Sequence, residues 1–544
     1  MNSKKYGVVY TPEGLADFTA ELLKRESDSL QLSVKNILDP ACGELSLLKS
    51  SQKFFDENMN TFGIDVDKES VSKMADEMEI VWNDTILPFD GYGKSTVDYW
   101  KEKLPQIDTI IANPPWSSEK IYDKEQLKKA GFNLVDGQYD SYVLFLELAY
   151  NLLKSGGLFG FIIPDSLFES QNKKLREFLV KNTEIRVIAR LGEKIFKEVN
   201  RATTVIICRK KSPNATDMTH CFRLSTNDRK AFLNGEGSLI DYYTEGVHDV
   251  LQSRFANNDS YNFDIDTRSE EEELLLKIKS SMIDFQSLFS FGRGVEISKS
   301  GQVIVCPSCG NAQGFKKAQL NEGEKMCVKC KNKIIFSEQD IKDIISKQQL
   351  EGATGLYVGE NLKRYSLNLT SFIKPNIKGI NYKDRSLYTP PKILIRKTGL
   401  GIYASIDYSG NMTSQTVYML KAKGEAAEHQ LEYYLGLINS RVVYYYYLKI
   451  YGENEWKSHP YLTKEVVFSL PIRPYEGSQL DNEIIELTGN LMAKYNREFD
   501  LRLEHLVMEK YRLTEEEKHM IAKEMDALPD LSAINMMKMG HKNV

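Results

Sequence analysis

No stretch of this chain comes near the roughly 18 consecutive apolar residues that a membrane-spanning helix requires, so none of it reads as one. The start, MNSKKYGVVYTPEGL, has no apolar core of the kind a signal peptide carries. Both absences point to a cytoplasmic protein. The dinucleotide-binding pattern Gly-x-Gly-x-x-Gly is missing, which argues against a nicotinamide or flavin enzyme. Net charge is only −5 over 544 residues, so the chain as a whole is not a polyanion binder. Cysteine is scarce as well: the seven present are too few for a disulfide scaffold. What remains is an ordinary globular composition, 27% charged and 42% hydrophobic, long enough for three or four domain-sized units.

The small net charge hides an uneven distribution. Residues 291–410 hold 19 Lys and Arg against 10 Asp and Glu, so the rest of the chain is acidic. A basic middle between acidic flanks suits a local polyanion site, and equally a solvated lysine-rich surface. Four of the seven cysteines fall inside it, Cys306, Cys309, Cys327 and Cys330, spaced C-x2-C-x17-C-x2-C. In a cytosolic chain that spacing predicts a tetrahedral zinc ribbon, most often a structural staple, over about residues 303–335.

The first half is organised around IDTIIANPPW, residues 107–116. Apolar Ile107, Ile110 and Ile111 predict a short buried strand. Pro114 and Pro115 have no N–H and fixed φ, so the strand must stop at Asn113. An amide, a carbonyl and the Trp116 indole are thereby left at a strand's carboxyl end, where open α/β sheets bind ligands. Before it come three more strand-then-acid units. VKNILDPAC ends in Asp39, followed by the small residues Ala41 and Gly43; TFGIDVD carries Asp65 and Val66; IVWNDT carries Asp84 and Thr85. At the start, Tyr10-Thr11-Pro12-Glu13 predicts a helix opening, with Thr11 as N-cap and Pro12 at the first helical position. After it, a helix from Tyr142, a buried strand ending at Pro164, a helix from Lys173, and the strands IRVIARL and ATTVIIC complete an alternating pattern. Arg209 to about Phe285 is polar and mixed, and reads as a connector.

Asn-Pro-Pro-aromatic after an apolar strand, together with D-P-A-C-G and Y-T-P, resembles the γ-class N6-adenine DNA methyltransferases. With the carboxyl-terminal half, the chain also resembles the type IIG restriction–methylation enzymes without their nuclease. The resemblance implies an α/β, Rossmann-like S-adenosylmethionine-dependent domain, then a mixed α+β target recognition domain with the inserted ribbon, then a helical segment. The boundaries expected are 1–235, a helical connector at 236–285, 286–475, and 476–544. It implies a cofactor pocket from Tyr10, Thr11, Pro12, Asp39, Ala41, Gly43, Asp65, Val66, Asp84, Thr85, Asn113 and Phe145. Asp39 would take the cofactor's ammonium group, Asp65 its ribose and Asp84 its adenine amino group. Asn113, Pro114, Pro115 and Trp116 would act on a flipped adenine, with Phe196 on the base's other face. One departure stands out: the loop runs Gly43-Glu44-Leu45 where the family has Gly-x-Gly, which predicts a leucine side chain crowding the cofactor.

The implied cofactors are S-adenosylmethionine and structural Zn2+, and the implied partner is double-stranded DNA in a prokaryotic or phage setting. DNA contacts are expected from Arg293, Lys299, Lys316, Lys317, Arg364, Arg396 and Lys397, interleaved with tyrosines. Cytosine-N4 methylation uses similar chemistry, usually with Ser in place of Asn113. A recognition subunit with little activity of its own, within a restriction or defence system, is the other alternative. Cytosine-C5 methylation would need a Pro-Cys nucleophile, and only Cys306-Pro307 is present, in the reverse order. No nuclease motif is visible, so any cleavage is expected from a separate protein.

Overall fold

The computed structural model describes residues 11–56, 58–74, 78–91, 93–117, 122–135, 139–196, 201–298, 300–315, 317–452 and 461–540. Tyr10, Lys299 and Lys316 lie outside them. The chain divides into two compact units, Met1–Glu272 with Lys449–Ser458, and Glu273–Leu448 with His459–Val544. Among the described residues no helix is long and apolar enough to cross a membrane.

The first unit is built on a nine-stranded sheet: β1 (Asn36–Asp39), β2 (Asn60–Asp65), β3 (Glu79–Trp82), β4 (Ile107–Ala112), β5 (Leu153–Pro164), β6 (Glu184–Gly192), β7 (Thr203–Arg209), β8 (Met218–Arg223) and β9 (His248–Leu251). The spatial order is β3-β2-β1-β4-β5-β7-β6-β8-β9. Strands β1 to β5 run parallel, and β7 inserts antiparallel between β5 and β6. Order reverses between β1 and β4, the switch point where such sheets open a ligand crevice. All six residues of β4 are buried because helices cover both faces. Ile110 packs with Leu38, Phe159 and Tyr142 on one side. Its neighbour Ile111 packs with Ile37, Leu15 and Phe18 of helix α1 (Glu13–Ser29) on the other. Asp108 is the charged residue in β4, and its carboxylate accepts from the backbone N–H groups of Lys35 and Asn36 at 2.8 and 2.9 Å. It thereby pins the entry of β1 beside β4.

Two local expectations change. Thr11 does not cap α1: Pro12 occupies the N-cap position and no side chain caps the helix. The stretch expected as a helical connector is no connector up to Glu272, because it belongs to the first unit and β8 and β9 extend the same sheet. MTHCFR and HDVL mix polar and apolar residues because strands far from the sheet centre bury only part of their surface, and that mixture resembles a linker in sequence.

The second unit holds a four-stranded antiparallel sheet of Phe289–Arg293, Val417–Ala422, Lys392–Arg396 and Ala404–Asp407, in that spatial order. Its helices include Leu431–Ile438, Gln479–Ala493, Arg497–Lys510 and Glu515–Asp526. The tyrosines of YYLGLINSRVVYYYYL, Tyr433 and Tyr434 and Tyr444 to Tyr447, are buried core rather than a stacking surface.

Candidate active site

A single pocket gathers the carboxyl ends of β1, β2 and β4 and the segment after β3. Its lining includes Thr11, Asp39, Ala41, Gly43, Asp65, Val66, Asp84, Thr85, Asn113, Pro114, Pro115, Trp116 and Phe145. Of the residues expected there and described, only Pro12 and Phe196 are not among those lining it. Glu44, Ser46, Tyr122 and Ser141 also line it and were not anticipated. Tyr122 and Ser141 come from segments with no motif of their own, so only the fold could bring them in.

The acids are held rather than loose. Asp39 is fully enclosed, and its Oδ1 accepts from Ala41 N–H at 2.9 Å. Burial pushes its carboxyl pKa up to about 8, a rise that this one backbone bond only partly offsets. Asp65 ties two turns together, accepting from Gly43 N–H and Asp67 N–H at 2.8 Å each, while burial still raises its pKa. Asp84 accepts from Ile86 and Leu87 N–H at 2.9 and 3.0 Å, and both its oxygens lie 3.1 Å from the Tyr122 hydroxyl. Thr85 donates to the Pro40 carbonyl at 2.6 Å, fastening the β3 end to the β1 loop.

At the end of β4, Asn113 Nδ2 donates to Thr11 Oγ1 at 3.0 Å, which turns the amide so that Oδ1 points the other way. The next carbonyls are spoken for: Pro115 O accepts from Ser141 Oγ, and Trp116 O from Arg201 Nη1 at 2.6 Å. Pro114 O receives no hydrogen bond among the described residues. The Trp116 indole donates to Ile162 O at 3.3 Å. Phe196 meets Trp116 edge to face, with centroids 5.2 Å apart and planes at 84°. The two rings fill each other's space, so they do not form an open slot for a planar base.

Leu45 corrects the expectation of crowding. Its backbone is left-handed, φ +65°, at the start of helix α2 (Ser46–Phe54), but its side chain is fully buried beneath the loop and is not part of the pocket wall. Gly43, also at positive φ, is where the pocket needs space, since a Cβ there would meet nothing within 4 Å. The left-handed conformation costs about 1–2 kcal/mol at a non-glycine residue, and burying the leucine outweighs it. Leu45→Gly is therefore expected to destabilise the fold by about 1–3 kcal/mol in denaturant unfolding. It should leave cofactor affinity within about twofold; a clear gain in affinity would mean that the side chain does reach the pocket.

Residues 1–266 match the sequence profile of the N-6 DNA Methylase family. That match covers just under half of the chain. Residues 354–472 of the same chain match a TaqI-like C-terminal specificity domain. The chain is similar to the type II methyltransferase M.BanIII of Aneurinibacillus aneurinilyticus, 34% identical over 213 residues, 36% of each protein. M.AccI of Acinetobacter calcoaceticus is 27% identical over 368 residues, 64% of this chain and 60% of that one. The chain thus spans between about a third and three fifths of the length of these curated relatives. In fold it is similar to the ATP-dependent type ISP restriction-modification enzyme LlaBIII, solved bound to DNA, with TM-score 0.50 and 13% identity. That likeness covers 90% of this chain and 39% of the other.

The second unit contains the four-cysteine cluster. Cys306 and Cys309 follow strand Gln302–Val305, and Cys327 and Cys330 lie in the turn between Glu324–Met326 and Lys333–Ile335. The two turns repeat one geometry. Gly310 N–H donates to Cys306 O at 2.8 Å and Lys331 N–H to Cys327 O at 3.0 Å, with Gly310 at φ +69° and Lys331 at φ +62°. All four Sγ atoms lie within 4.8 Å of one another, and the Cys306–Cys330 and Cys309–Cys327 pairs are 3.7 Å apart. A disulfide would hold its sulfurs at about 2.05 Å.

The described basic residues have four different surroundings. Arg364 has no exposed side chain: it pairs with Asp500 at 2.9 and 3.1 Å and donates to Asn439 O at 2.8 Å. It is a core residue, so its expected place on DNA is withdrawn. Arg396 turns inward onto the Leu400 carbonyl at 2.7 Å and over the Tyr403 ring. Lys317 lies in the short 3-10 turn Lys317–Glu322. Arg293 and Lys397 are half-buried neighbours. Arg293 donates to Gln415 Oε1 at 3.0 Å, and Lys397 Nζ sits 5.8 and 5.7 Å from the Tyr418 and Tyr461 rings. Burial first and Arg293 second lower the Lys397 pKa.

Proposed function

We propose that this chain is a site-specific DNA methyltransferase that moves a methyl group from S-adenosylmethionine to the N6 amino group of an adenine turned out of the duplex. The observation that carries it is the Asn113 amide, oriented by Thr11 within the same pocket as three strand-end carboxylates. The donor set fits the cofactor. Asp39 would hold its ammonium group, Asp65 its ribose hydroxyls and Asp84 its adenine amino group beside Phe145, with Gly43 leaving room for the loop to approach closely. When bound, S-adenosylmethionine supplies an electrophilic methyl carbon.

The chain's task is to make a poor nucleophile usable, because the adenine amino lone pair is delocalised into the ring. Asn113 Oδ1 and Pro114 O would each accept one amino hydrogen, leaving the lone pair aimed along the transfer line. No covalent intermediate on the protein is needed. The base is unreachable inside the helix, so it must be extruded against the Trp116 ring. Phe196 now fills that place and would swing aside, then close over the base's other face. Relatives named as type II methyltransferases support the DNA substrate. Such an enzyme would work on DNA in the cytoplasm of a prokaryotic cell, encoded by the cell or by a phage. Lys397 of the specificity region and Arg293 beside it are cations whose mutual repulsion a DNA phosphate would relieve.

The ribbon would hold one Zn2+. Four thiolates at the usual zinc–sulfur distance form a tetrahedron with edges of about 3.8 Å, and two edges here are 3.7 Å. The ion's role would be structural, fixing two hairpins that have little core of their own.

Single-molecule sequencing of host DNA with and without the gene tests the reading. Methylated adenines in one sequence context should appear only with the gene; methylated cytosines instead would overturn the N6 assignment. A pH effect should accompany cofactor binding. The raised Asp39 pKa means that the folded apoprotein holds a proton the unfolded chain has lost, so this site's contribution to stability falls as pH rises from about 4 to about 8. Pairing with the cofactor's ammonium group would expel that proton. Affinity should therefore strengthen by up to about tenfold per unit as pH rises from 6 to 7.5, with calorimetric heats that depend on the buffer. Equal affinity across that range would remove Asp39 from the ammonium site.

A further inference from the structure

The connection between β6 and β7 touches the catalytic loop at both ends. Near its start, Phe196 packs on the Trp116 ring; near its finish, Arg201 donates to the Trp116 carbonyl at 2.6 Å. The Arg201 guanidinium is itself anchored, since Nη2 pairs with Asp140 Oδ2 at 2.5 Å. Asp140 is buried and also accepts from Ser166 Oγ at 3.0 Å, so this carboxylate has little freedom to follow a moving partner. Beside it, Ser141 N–H donates to Ser117 O at 2.8 Å, and Ser117 N–H to Ser141 Oγ at 3.1 Å. The far side of the Asn113–Ser117 loop is thus gripped by the pair Asp140–Ser141 and by Arg201. The near side offers Asn113 and Pro114 to the pocket.

We propose that Arg201 is a positioning residue for methyl transfer: anchored on Asp140, it clamps the Trp116 carbonyl and keeps Asn113 and Pro114 in register while Phe196 leaves Trp116 to admit the base. The idea rests on the adenine-methylating reading above. The need for such a clamp is physical. Phe196 is packed on Trp116, and moving it removes one of the contacts that hold the loop. A charge-assisted hydrogen bond to a carbonyl, backed by a buried carboxylate, is short and directional and does not depend on that ring contact. Reacting groups displaced by about 1 Å lose roughly a hundredfold in rate, so a loop held by aromatic packing alone would lose geometry at the moment of use. Arg201 reaches the motif from a position with no recognisable pattern of its own, 85 residues further along the chain.

The test uses the full chain as wild type, Arg201→Ala, Arg201→Lys and Asp140→Asn. Tritiated methyl transfer from S-adenosylmethionine into unmethylated plasmid DNA gives kcat and KM, calorimetry gives cofactor affinity, and thermal melting reports folding. Arg201→Ala is expected to lower kcat roughly 10- to 100-fold, with cofactor Kd and the KM for DNA within about threefold of wild type. Arg201→Lys, which keeps one charged donor, should recover part of the loss. Wild-type turnover by Arg201→Ala overturns the proposal. So does a cofactor affinity that falls in step with kcat, which would make the pair a general support of the fold. If Arg201→Ala does not fold, Arg201→Lys and Asp140→Asn decide: a lowered kcat at unchanged KM supports the clamp, and an unchanged kcat rejects it. Absence of methyl transfer by the wild type to any DNA would instead reject the functional reading, an outcome separate from any variant.

Discussion

Replacing Asn113 with alanine is expected to lower methyl transfer by roughly 10²–10³-fold or more, the scale on which enzymes lose rate when one preorganised hydrogen-bonding group at the reacting centre is removed. The expected loss falls on turnover and not on binding. The Asn113 side chain is tied to Thr11, whereas the three acids are held by their own backbone contacts. Cofactor affinity should stay within a few-fold, because removing the amide leaves the Asp65–Gly43 and Asp84–Leu87 contacts untouched. Tritium transfer and calorimetry on the same preparation separate the two quantities. Comparable transfer by Asn113→Ala would reject the residue as the amino-group acceptor. A matching collapse of cofactor affinity would show that its main work is to hold Thr11 and the start of α1.

The second large effect is expected at the ribbon. Changing Cys327 and Cys330 together to serine should release the metal and unfold the two hairpins, since small four-thiolate ribbons fold with their ion. The local core explains the dependence. Among the described residues, the apolar cluster around the cysteines is Ile304, Phe315, Ile334 and Phe336, with Leu320 and Ile341 partly buried against it, too little apolar surface to order two hairpins alone. These strands belong to the second unit, and the cofactor pocket is lined entirely from the first, so S-adenosylmethionine should still bind the double variant. Site-specific DNA binding is expected to fall sharply. Metal analysis of the purified wild type is the first check, and a protein without zinc ends the hypothesis there. A double variant that still methylates its site at the normal rate would make the ribbon a dispensable staple.

Local chemistry is written in local sequence. Asn113-Pro114-Pro115 must end a strand because neither proline has an N–H, and β4 does stop at Ala112. Four cysteines in two C-x2-C pairs can meet in space when each pair sits in its own tight turn, and their sulfurs are within 4.8 Å. The succession of strand and acid was equally legible, because parallel strands buried on both faces need near-continuous apolar runs. Where a strand is only half-buried the signal weakens, and β8 and β9 were taken for connector on that account.

Side-chain destinations were legible only in part. Arg364 and Arg396 stand in a basic, tyrosine-rich stretch, yet one neutralises the buried Asp500 and the other folds back on its own turn. Charge in a sequence does not say which face it will occupy. Leu45 follows the same rule in reverse: a residue expected to occupy space near the cofactor turns its side chain under the loop, at the cost of a left-handed backbone. By itself, then, the sequence determined the order of the motifs along β1 to β4 and the spacing that lets the four cysteines meet. Only the tertiary structure decided that Thr11 orients Asn113 instead of capping a helix, that Tyr122 and Ser141 enter the pocket, and that Arg201 grips the catalytic loop from across the sheet. Those contacts join residues 85 to 102 positions apart in the case of Arg201 and Thr11. They exist because β5 stands between β4 and β7 in the sheet and α1 packs over β4, and no local pattern encodes those adjacencies.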